Sequence, residues 1–338
     1  MKIKLQRVHP TDMLPRRSWL GVCIALYAHL WRSHRKIVDK FEGASYEELA
    51  APLLDATRYT LQATPAAERK ISAMATPPSW SGKTAVLMHD ARLRIETWSM
   101  VWSLLRESGH RIVAADLPGH GNSDLTAGSL EMESLCQDIV RVLDFFDVRD
   151  GALVGHGVGG FIAIQYLLNN PKHAKRRLPH GFVCIACSAG NFQETVGHDL
   201  LRQLSKLFAV VRLPEIVSYF DLFGEVSISK RLGANASFAA VRVALEASRA
   251  AASEWAIRNL SDMQWNFDLH PHIPALTLPS AVLLSSDDER VPRPTALKDG
   301  FEASGSLRAF KLLQDAGHFL PLTRADEVSQ IVATALSG

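Results

Sequence analysis

The chain has 338 residues, of which 47% are hydrophobic and 21% are charged, and its formal net charge is +2. This is the composition of a globular protein large enough to bury a sizeable core. The near-neutral charge and the absence of a long Lys/Arg run exclude a basic nucleic-acid-binding protein.

Residues 1–57 are predicted to form a helical N-terminal extension. Twin arginines, Arg16 and Arg17, precede an apolar run that begins near Leu20. The run is shorter than the ~20 residues that a membrane-spanning helix needs. We therefore expect a helix packed on the main domain, with a helix lying on a membrane surface and a cleaved export signal as the alternatives.

The remainder, 58–338, is predicted to be one α/β domain. Two short alternating runs, 58–63 and 69–74, favour a hairpin at the edge of a sheet. From residue 84 onward, continuously apolar strands alternate with amphipathic helices, which is typical of a mostly parallel, doubly wound sheet covered on both faces. The predicted strands are 84–88, 111–116, 152–154, 181–186, 281–284 and 309–313. The predicted helices are 96–108, 129–146 with Ser129 as N-cap, 158–168 and 326–336.

Between about residues 190 and 270 the alternation stops and several helices are predicted. A helical insertion between two parallel strands can cover the carboxyl ends of the strands, where open α/β sheets bind ligands. We expect a lid here. Its phenylalanines and leucines predict a mostly apolar pocket and an apolar small-molecule substrate or ligand.

One segment has the form of a catalytic turn without its catalytic atom. Residues 153–160 read Leu-Val-Gly-His-Gly-Val-Gly-Gly, between an apolar strand and a helix. A nucleophile elbow of the form Gly-x-Ser-x-Gly places its serine at the sharp strand-to-helix turn. Here Gly155 and Gly159 are present, but the middle position is Gly157, which has no side chain.

The acid and base of such a site follow the elbow along the chain. Asp288 comes just after the strand predicted at 281–284, and His318 just after the strand predicted at 309–313. A carboxylate that accepts a hydrogen bond from an imidazole orients it as a general base. The order and placement of the two residues predict such a pair.

Over about residues 58–338 the chain resembles the α/β-hydrolase fold superfamily. The resemblance rests on the elbow, on Leu87-Met88-His89-Asp90, on the loop 116–124 (DLPGHGNSD), on Asp288 before Val291-Pro292, and on Gly317-His318. It implies that Asp288 is the acid, that His318 is the base and that Gly157 stands at the nucleophile's position. It also implies an oxyanion hole formed by the backbone N–H groups of Val158 and Ala91.

The chain departs from the superfamily pattern at two positions. Gly157 replaces the nucleophile, and Asp90 replaces the usual glycine after His89. A carboxylate at residue 90 that pointed inward would oppose an anionic intermediate. Rescue of the missing nucleophile by Ser188, Cys187 or Ser123 is a further alternative.

Three functions remain open from the sequence. The first is an enzyme, of hydrolase or lyase type, that acts on an apolar small molecule by non-covalent general acid–base catalysis through His318 and Asp288. The second is a non-catalytic protein that binds a ligand or partner. The third is an inactivated Ser→Gly form of an esterase-like or lipase-like hydrolase.

The sequence implies no cofactor and no metal. The run from Gly155 to Gly160 fits G-x-G-x-x-G by spacing, but the next strand ends at Cys187-Ser188, where a dinucleotide-binding unit has the acidic residue that binds a ribose. Cys184 and Cys187 have a C-x-x-C spacing inside a predicted buried strand, so we expect reduced, buried thiols. Reduced thiols favour a cytoplasmic location.

Overall fold

Eight strands form a single sheet in the computed structural model, in the order β1-β2-β4-β3-β5-β6-β7-β8. The structure describes residues 53, 56–62, 69–77, 79–80, 82–190, 254–288, 290–291 and 294–338. The strands are β1 (Thr57–Gln62), β2 (Lys70–Ala75), β3 (Thr84–Met88), β4 (Arg111–Ala115), β5 (Gly151–His156), β6 (Phe182–Ile185), β7 (Ser280–Ser285) and β8 (Leu307–Leu313).

The sheet is mostly parallel. Strands β1 and β2 pair antiparallel at one edge, and β2 pairs antiparallel with β4. All other neighbouring strands are parallel. The predicted edge hairpin and the predicted parallel sheet are therefore both confirmed.

Helices follow the strands as the apolar periodicity indicates. They are α1 (Ser99–Glu107), α2 (Met132–Phe145), α3 (Val158–Asn169), α4 (Pro171–Arg177), α5 (Glu254–Asn266), α6 (Pro294–Ala303), α7 (Leu320–Thr323) and α8 (Ala325–Ser337), with short 3-10 helices at Ile95–Trp98 and His270–Ala275.

Each face of the sheet carries its own apolar core. On one face, side chains of α2, α3 and α6 pack on the strands, among them Ile139, Phe161 and Phe301. On the other face α1 and α8 pack together, with Trp102 and Val332 fully buried. Burial on both faces explains why the central strands are almost wholly apolar.

The start of α2 differs from the prediction. Ser129 is not its N-cap, because the helix begins at Met132 and its N-terminal flanking residue is Glu131. The Ser129 hydroxyl instead donates a hydrogen bond to the carbonyl of Thr126 at 2.7 Å, and this contact closes a turn ahead of the helix. Serine stabilises such turns as readily as helix starts, and the sequence alone did not separate the two.

Two predicted regions lie largely outside the described residues. These are the N-terminal extension, except residues 53 and 56–57, and residues 191–253 of the lid region. The end of the lid region is described: α5 packs against α3, and Gly190 forms an antiparallel bridge with Asp268. Among the described helices, none combines the length and the hydropathy needed to cross a membrane.

Candidate active site

The turn between β5 and α3 has the geometry of a strand-to-helix elbow. Gly157 lies at the turn with φ 52° and ψ −119°, a backbone conformation that residues other than glycine seldom adopt. Its N–H donates to the carbonyl of Ile185 on β6 at 3.0 Å. A Cβ on Gly155 would lie 2.4 Å from Gly160 Cα, and one on Gly159 would lie 2.6 Å from the Met88 carbonyl oxygen. The glycines are therefore required by the close approach of strand and helix.

The loops that follow β7 and β8 bring Asp288 and His318 into contact. Asp288 Oδ2 lies 2.7 Å from His318 Nδ1, and both side chains are buried. Asp288 is held in turn by the backbone N–H of Arg290, which donates to its Oδ1 at 2.9 Å. Parallel strands end at the same edge of a sheet, which is why residues 30 positions apart in the sequence meet here.

A second carboxylate contacts the same imidazole. Asp90, in the loop after β3, points inward, and its Oδ2 lies 3.1 Å from His318 Nε2. The backbone N–H of Val158 donates to Asp90 Oδ1 at 2.8 Å. His318 is thus held between two carboxylates, one on each ring nitrogen.

The carboxylate of Asp90 lies directly against the elbow. A Cβ placed on Gly157 would fall 2.2 Å from Asp90 Oδ1 and 2.9 Å from Asp90 Cβ. Both distances are shorter than any ordinary van der Waals contact. The Asp90 side chain fits in this position only because residue 157 is glycine.

The two carboxylates set the charge state of His318. Burial by itself lowers the pKa of His318, but the negative charges and hydrogen bonds of Asp288 and Asp90 outweigh it and raise the pKa above 6.5. Burial likewise opposes the charge on Asp90, yet the adjacent His318 holds the pKa of Asp90 well below its usual range. The two carboxyl groups therefore favour the protonated form of His318.

His89 fixes the loop that carries Asp90. Its Nδ1 lies 2.8 Å from the Asp90 carbonyl, and its Nε2 accepts the N–H of Leu117 at 2.9 Å. Full burial lowers the pKa of His89 to about 4, so the ring is neutral with one nitrogen donating and the other accepting. A neutral His89 therefore links the loop after β3 to the loop after β4. This link is a physical reason for the histidine by which the sequence resembles the superfamily at this loop.

His156 is hydrogen-bonded to the backbone of His318. Its Nε2 donates to the carbonyl oxygen of His318 at 2.9 Å, and the two ring centroids are 5.1 Å apart. Burial lowers the pKa of His156 to about 4, so the His156 ring is neutral. Its role is invisible in the sequence, because His156 lies 162 residues from His318 along the chain.

The side chains of the three alternative nucleophiles are engaged in hydrogen bonds to other residues. Ser123 donates to the Asp116 carbonyl at 2.8 Å and accepts the N–H of Ser72. Ser188 bonds to Gly190. Burial raises the pKa of Cys187 well above its usual value, and its thiol donates to the adjacent Ser188 carbonyl. Cys184 and Cys187 are free and buried.

The structure brings four of the five predicted site residues into one cluster: Gly157, Val158, Asp288 and His318. The fifth, Ala91, is buried directly after Asp90 in the same loop. Sequence reasoning placed Asp90 near the site but missed its contact with His318. The sequence signal was a pair of departures from the superfamily pattern. Gly157 stands where that pattern has a nucleophilic side chain, and Asp90 stands where it has a glycine.

A family model described as the alpha/beta hydrolase family matches residues 85–331. A fold with a nucleophile-elbow turn and a histidine–carboxylate pair at the carboxyl edge of the sheet defines this class of protein. The chain belongs to the α/β-hydrolase family.

Individual relatives are distant. A 2-hydroxy-6-oxononadienedioate/2-hydroxy-6-oxononatrienedioate hydrolase of Escherichia coli is 25% identical over 260 residues, 75% of this chain and 87% of that protein. An uncharacterised protein of Mycobacterium tuberculosis is 26% identical over 159 residues, 45% of this chain, and the match spans only 43% of that protein's length. The crystal structure of a bromoperoxidase from Bacillus anthracis matches with a TM-score of 0.69 at 18% identity, over 83% of this chain and all (100%) of that one. The structural likeness supports the fold.

Proposed function

We propose that the protein is a hydrolase that acts on an apolar small molecule, with His318 as general acid and base and Asp288 as the carboxylate that orients it. The observation that carries this proposal is the 2.7 Å contact between His318 Nδ1 and Asp288 Oδ2, which leaves Nε2 directed toward the elbow. An oriented imidazole next to a strand-to-helix turn is the arrangement with which hydrolases activate an attacking group.

Gly157, at the position a nucleophilic serine would hold, contributes no reacting atom. No acyl-enzyme can therefore form on residue 157, and the chemistry is assigned to the imidazole and its partners. The N–H groups of Val158 and Ala91 are the proposed oxyanion donors. The apolar character of the substrate rests on the lid composition, and the residues concerned lie outside the described part of the chain.

Retention of the charged cluster favours catalysis over simple binding. Burying two carboxyl groups and a histidine whose protonated form they favour costs free energy unless the charges are paired. An apolar ligand would gain nothing from such a cluster, whereas proton transfer requires it. The Asp90 side chain also argues against a recently inactivated esterase, because a serine at residue 157 would collide with it.

A non-catalytic binding protein is the second candidate. It is favoured by one observation, namely that the Val158 N–H, a proposed oxyanion donor, is already occupied by Asp90 Oδ1 at 2.8 Å. A site whose donor is permanently filled would bind ligands without converting them.

The test is a hydrolysis screen on apolar esters, thioesters, epoxides and alkyl halides with the wild type and His318→Gln. We expect at least one compound to be hydrolysed, with the rate reduced about 10²–10⁴-fold in His318→Gln, the usual contribution of a general acid–base group. His173→Gln is the matched control. His173 lies on α4 and also pairs with a carboxylate, that of Asp144 on α2, but the pair is not part of the His318 cluster. Equal rates in the wild type and His318→Gln would contradict the proposal, and binding without turnover would support the second candidate.

A further inference from the structure

The carboxyl group of Asp90 lies where the side chain of an elbow nucleophile would lie. Its Oδ1 is 2.2 Å from the position of a Cβ on Gly157, so the group fills the space directly above the turn. Its Oδ2 is 3.1 Å from His318 Nε2, the separation expected between a nucleophile and its acid–base partner. Asp90 therefore has both the position and the imidazole contact that a serine hydroxyl would have.

We propose that Asp90 is the catalytic nucleophile, supplied by the loop after β3 in place of residue 157, and that it attacks a saturated carbon bearing a leaving group, as in an epoxide or an alkyl halide. The inference rests on the proposed function, because it needs His318 as acid and base. Carboxylates form covalent ester intermediates in other enzymes, so the chemistry lies within the range of the side chain. The non-covalent route expected from the sequence is replaced, since that expectation considered residue 157 alone.

The hydrogen bond from Val158 indicates a saturated carbon rather than a carbonyl. Attack on a carbonyl would create an oxyanion on the substrate, which would need the Val158 N–H for itself. That N–H already donates to Asp90 Oδ1 at 2.8 Å. Displacement at a saturated carbon forms no tetrahedral oxyanion on the attacked carbon, and the alkoxide released from an epoxide is protonated by His318, so the N–H can hold Oδ1 in place while Oδ2 attacks.

The first half-reaction consumes the proton of His318. With an epoxide, an electron pair of Asp90 Oδ2 forms a bond to the ring carbon as the carbon–oxygen bond of the ring breaks. The released alkoxide takes the proton from His318 Nε2. The products are a neutral ester on Asp90 and a neutral imidazole. With an alkyl halide, the halide leaves with the electron pair and takes no proton, so His318 must release its proton to solvent before the second half-reaction, and the net products are the alcohol, the halide and a proton.

The second half-reaction returns both groups to their starting state. His318 Nε2 takes a proton from water as the water oxygen bonds to Asp90 Cγ, and the negative charge develops on Oδ1, which faces the Val158 N–H. The bond between Cγ and Oδ2 then breaks, and the departing alkoxide takes the proton from His318. The new carboxylic acid gives its own proton to the imidazole. For an epoxide the product is a diol, and Asp90 keeps one oxygen from water.

The charge balance of the cluster suits this cycle. Asp288 and Asp90 both raise the pKa of His318, which favours the protonated imidazole that the first step needs. Formation of the ester removes the charge of Asp90 and with it part of that stabilisation. The pKa of His318 then falls, which makes the ring a base when water must be activated.

The test traps the ester in His318→Gln with 1-bromobutane, whose bromide leaves without a proton. We expect the intact protein to gain the mass of one butyl group, and peptide mapping to place it on Asp90. The double variant Asp90→Asn/His318→Gln should gain no butyl group, while the control Asp326→Asn/His318→Gln, which changes an exposed carboxylate on α8, should still gain it. As a second readout, single-turnover hydrolysis of 1,2-epoxybutane by the wild type in H₂¹⁸O should leave ¹⁸O in the Asp90 peptide rather than in the diol.

The outcomes separate this inference from the proposed function. If Asp90 gains neither butyl nor ¹⁸O while hydrolysis of any substrate still depends on His318, the nucleophile assignment is overturned and the general acid–base proposal stands. A butyl group found at other carboxylates to the same extent as at Asp90 overturns the assignment as well. If His318→Gln hydrolyses every substrate as fast as the wild type, the proposed function itself fails.

Discussion

Asp90 and His318 lie 228 residues apart in the sequence, yet 3.1 Å separates Asp90 Oδ2 from His318 Nε2. The contact depends on a third residue, since any side chain at position 157 would displace the carboxylate. Residues 90, 157 and 318 therefore form one structural unit, and a change at one alters what the others can do.

Gly157→Ser alone is expected to lower the Tm and to show no serine-esterase activity. The new Cβ would overlap Asp90 Oδ1 at 2.2 Å, and moving the carboxylate breaks its bonds to Val158 and His318. The double variant Gly157→Ser/Asp90→Gly removes the overlap and should show a burst with p-nitrophenyl acetate. Gly157→Ala/Asp90→Gly is the matched control, having the same backbone changes without a hydroxyl. A burst of equal size from Gly157→Ser alone would contradict the steric argument.

Asp288→Asn is expected to lower kcat by about 10⁴-fold, the loss seen when a catalytic imidazole keeps its position but loses its orienting carboxylate. The amide introduced at position 288 would favour the wrong tautomer of His318 at Nδ1. Asp326→Asn on the exposed first turn of α8 serves as the control and should retain the wild-type kcat. The measurement is steady-state kinetics on whichever substrate the screen finds, and a loss below tenfold would contradict the assigned role.

The His318 cluster should make stability fall as the pH rises above 6.5. The pKa of His318 is raised in the folded protein, so its contribution to stability is complete below the unfolded value of 6.5 and is lost as the pH rises through the folded pKa. The free energy of unfolding of the wild type, minus that of His318→Gln, should therefore decrease with pH over this range. Urea unfolding of both proteins in a pH series measures it. A difference that rises with pH would show that burial, not the carboxylates, controls the imidazole.

Gly159→Ala is expected to destabilise the fold more than Gly305→Ala. A Cβ on Gly159 would lie 2.6 Å from the carbonyl oxygens of His89 and Met88, which are backbone atoms that cannot move aside cheaply. Gly305 has φ +69° but nothing within 4 Å of its added Cβ, so Gly305→Ala carries only the left-handed backbone cost of about 1–2 kcal/mol. Thermal unfolding of the two variants gives the comparison, and equal losses would show that the elbow tolerates a wider separation of strand and helix.

Much of the fold could be predicted from the sequence because the sheet is buried on both faces. Strands such as β3 and β5 are continuously apolar, and the helices between them repeat apolar residues at helical spacing, so both periods are visible in one chain. The antiparallel edge hairpin was also predictable, since β1 and β2 alternate. The start of α2 was not, because Ser129 suits a turn and a helix start equally well.

The candidate site was predictable only in part. Asp288 and His318 follow strand ends, and their meeting follows from the parallel topology. The inward direction of the Asp90 side chain depends on the volume left free by Gly157. The role of His156 depends on its hydrogen bond to the backbone carbonyl of His318. Such contacts between distant segments have no local sequence signal.

The strand order has a consequence for how the molecule assembles. Asp90 follows β3 in the middle of the sheet and His318 follows β8 at its edge, with β5, β6 and β7 between them. Contacts of such long sequence separation carry a large loop-closure cost, so we expect the cluster to close only after the intervening strands have paired. A resonance of the His318 ring would therefore report the last stage of refolding, after the helices and the β1–β2 hairpin are already in place.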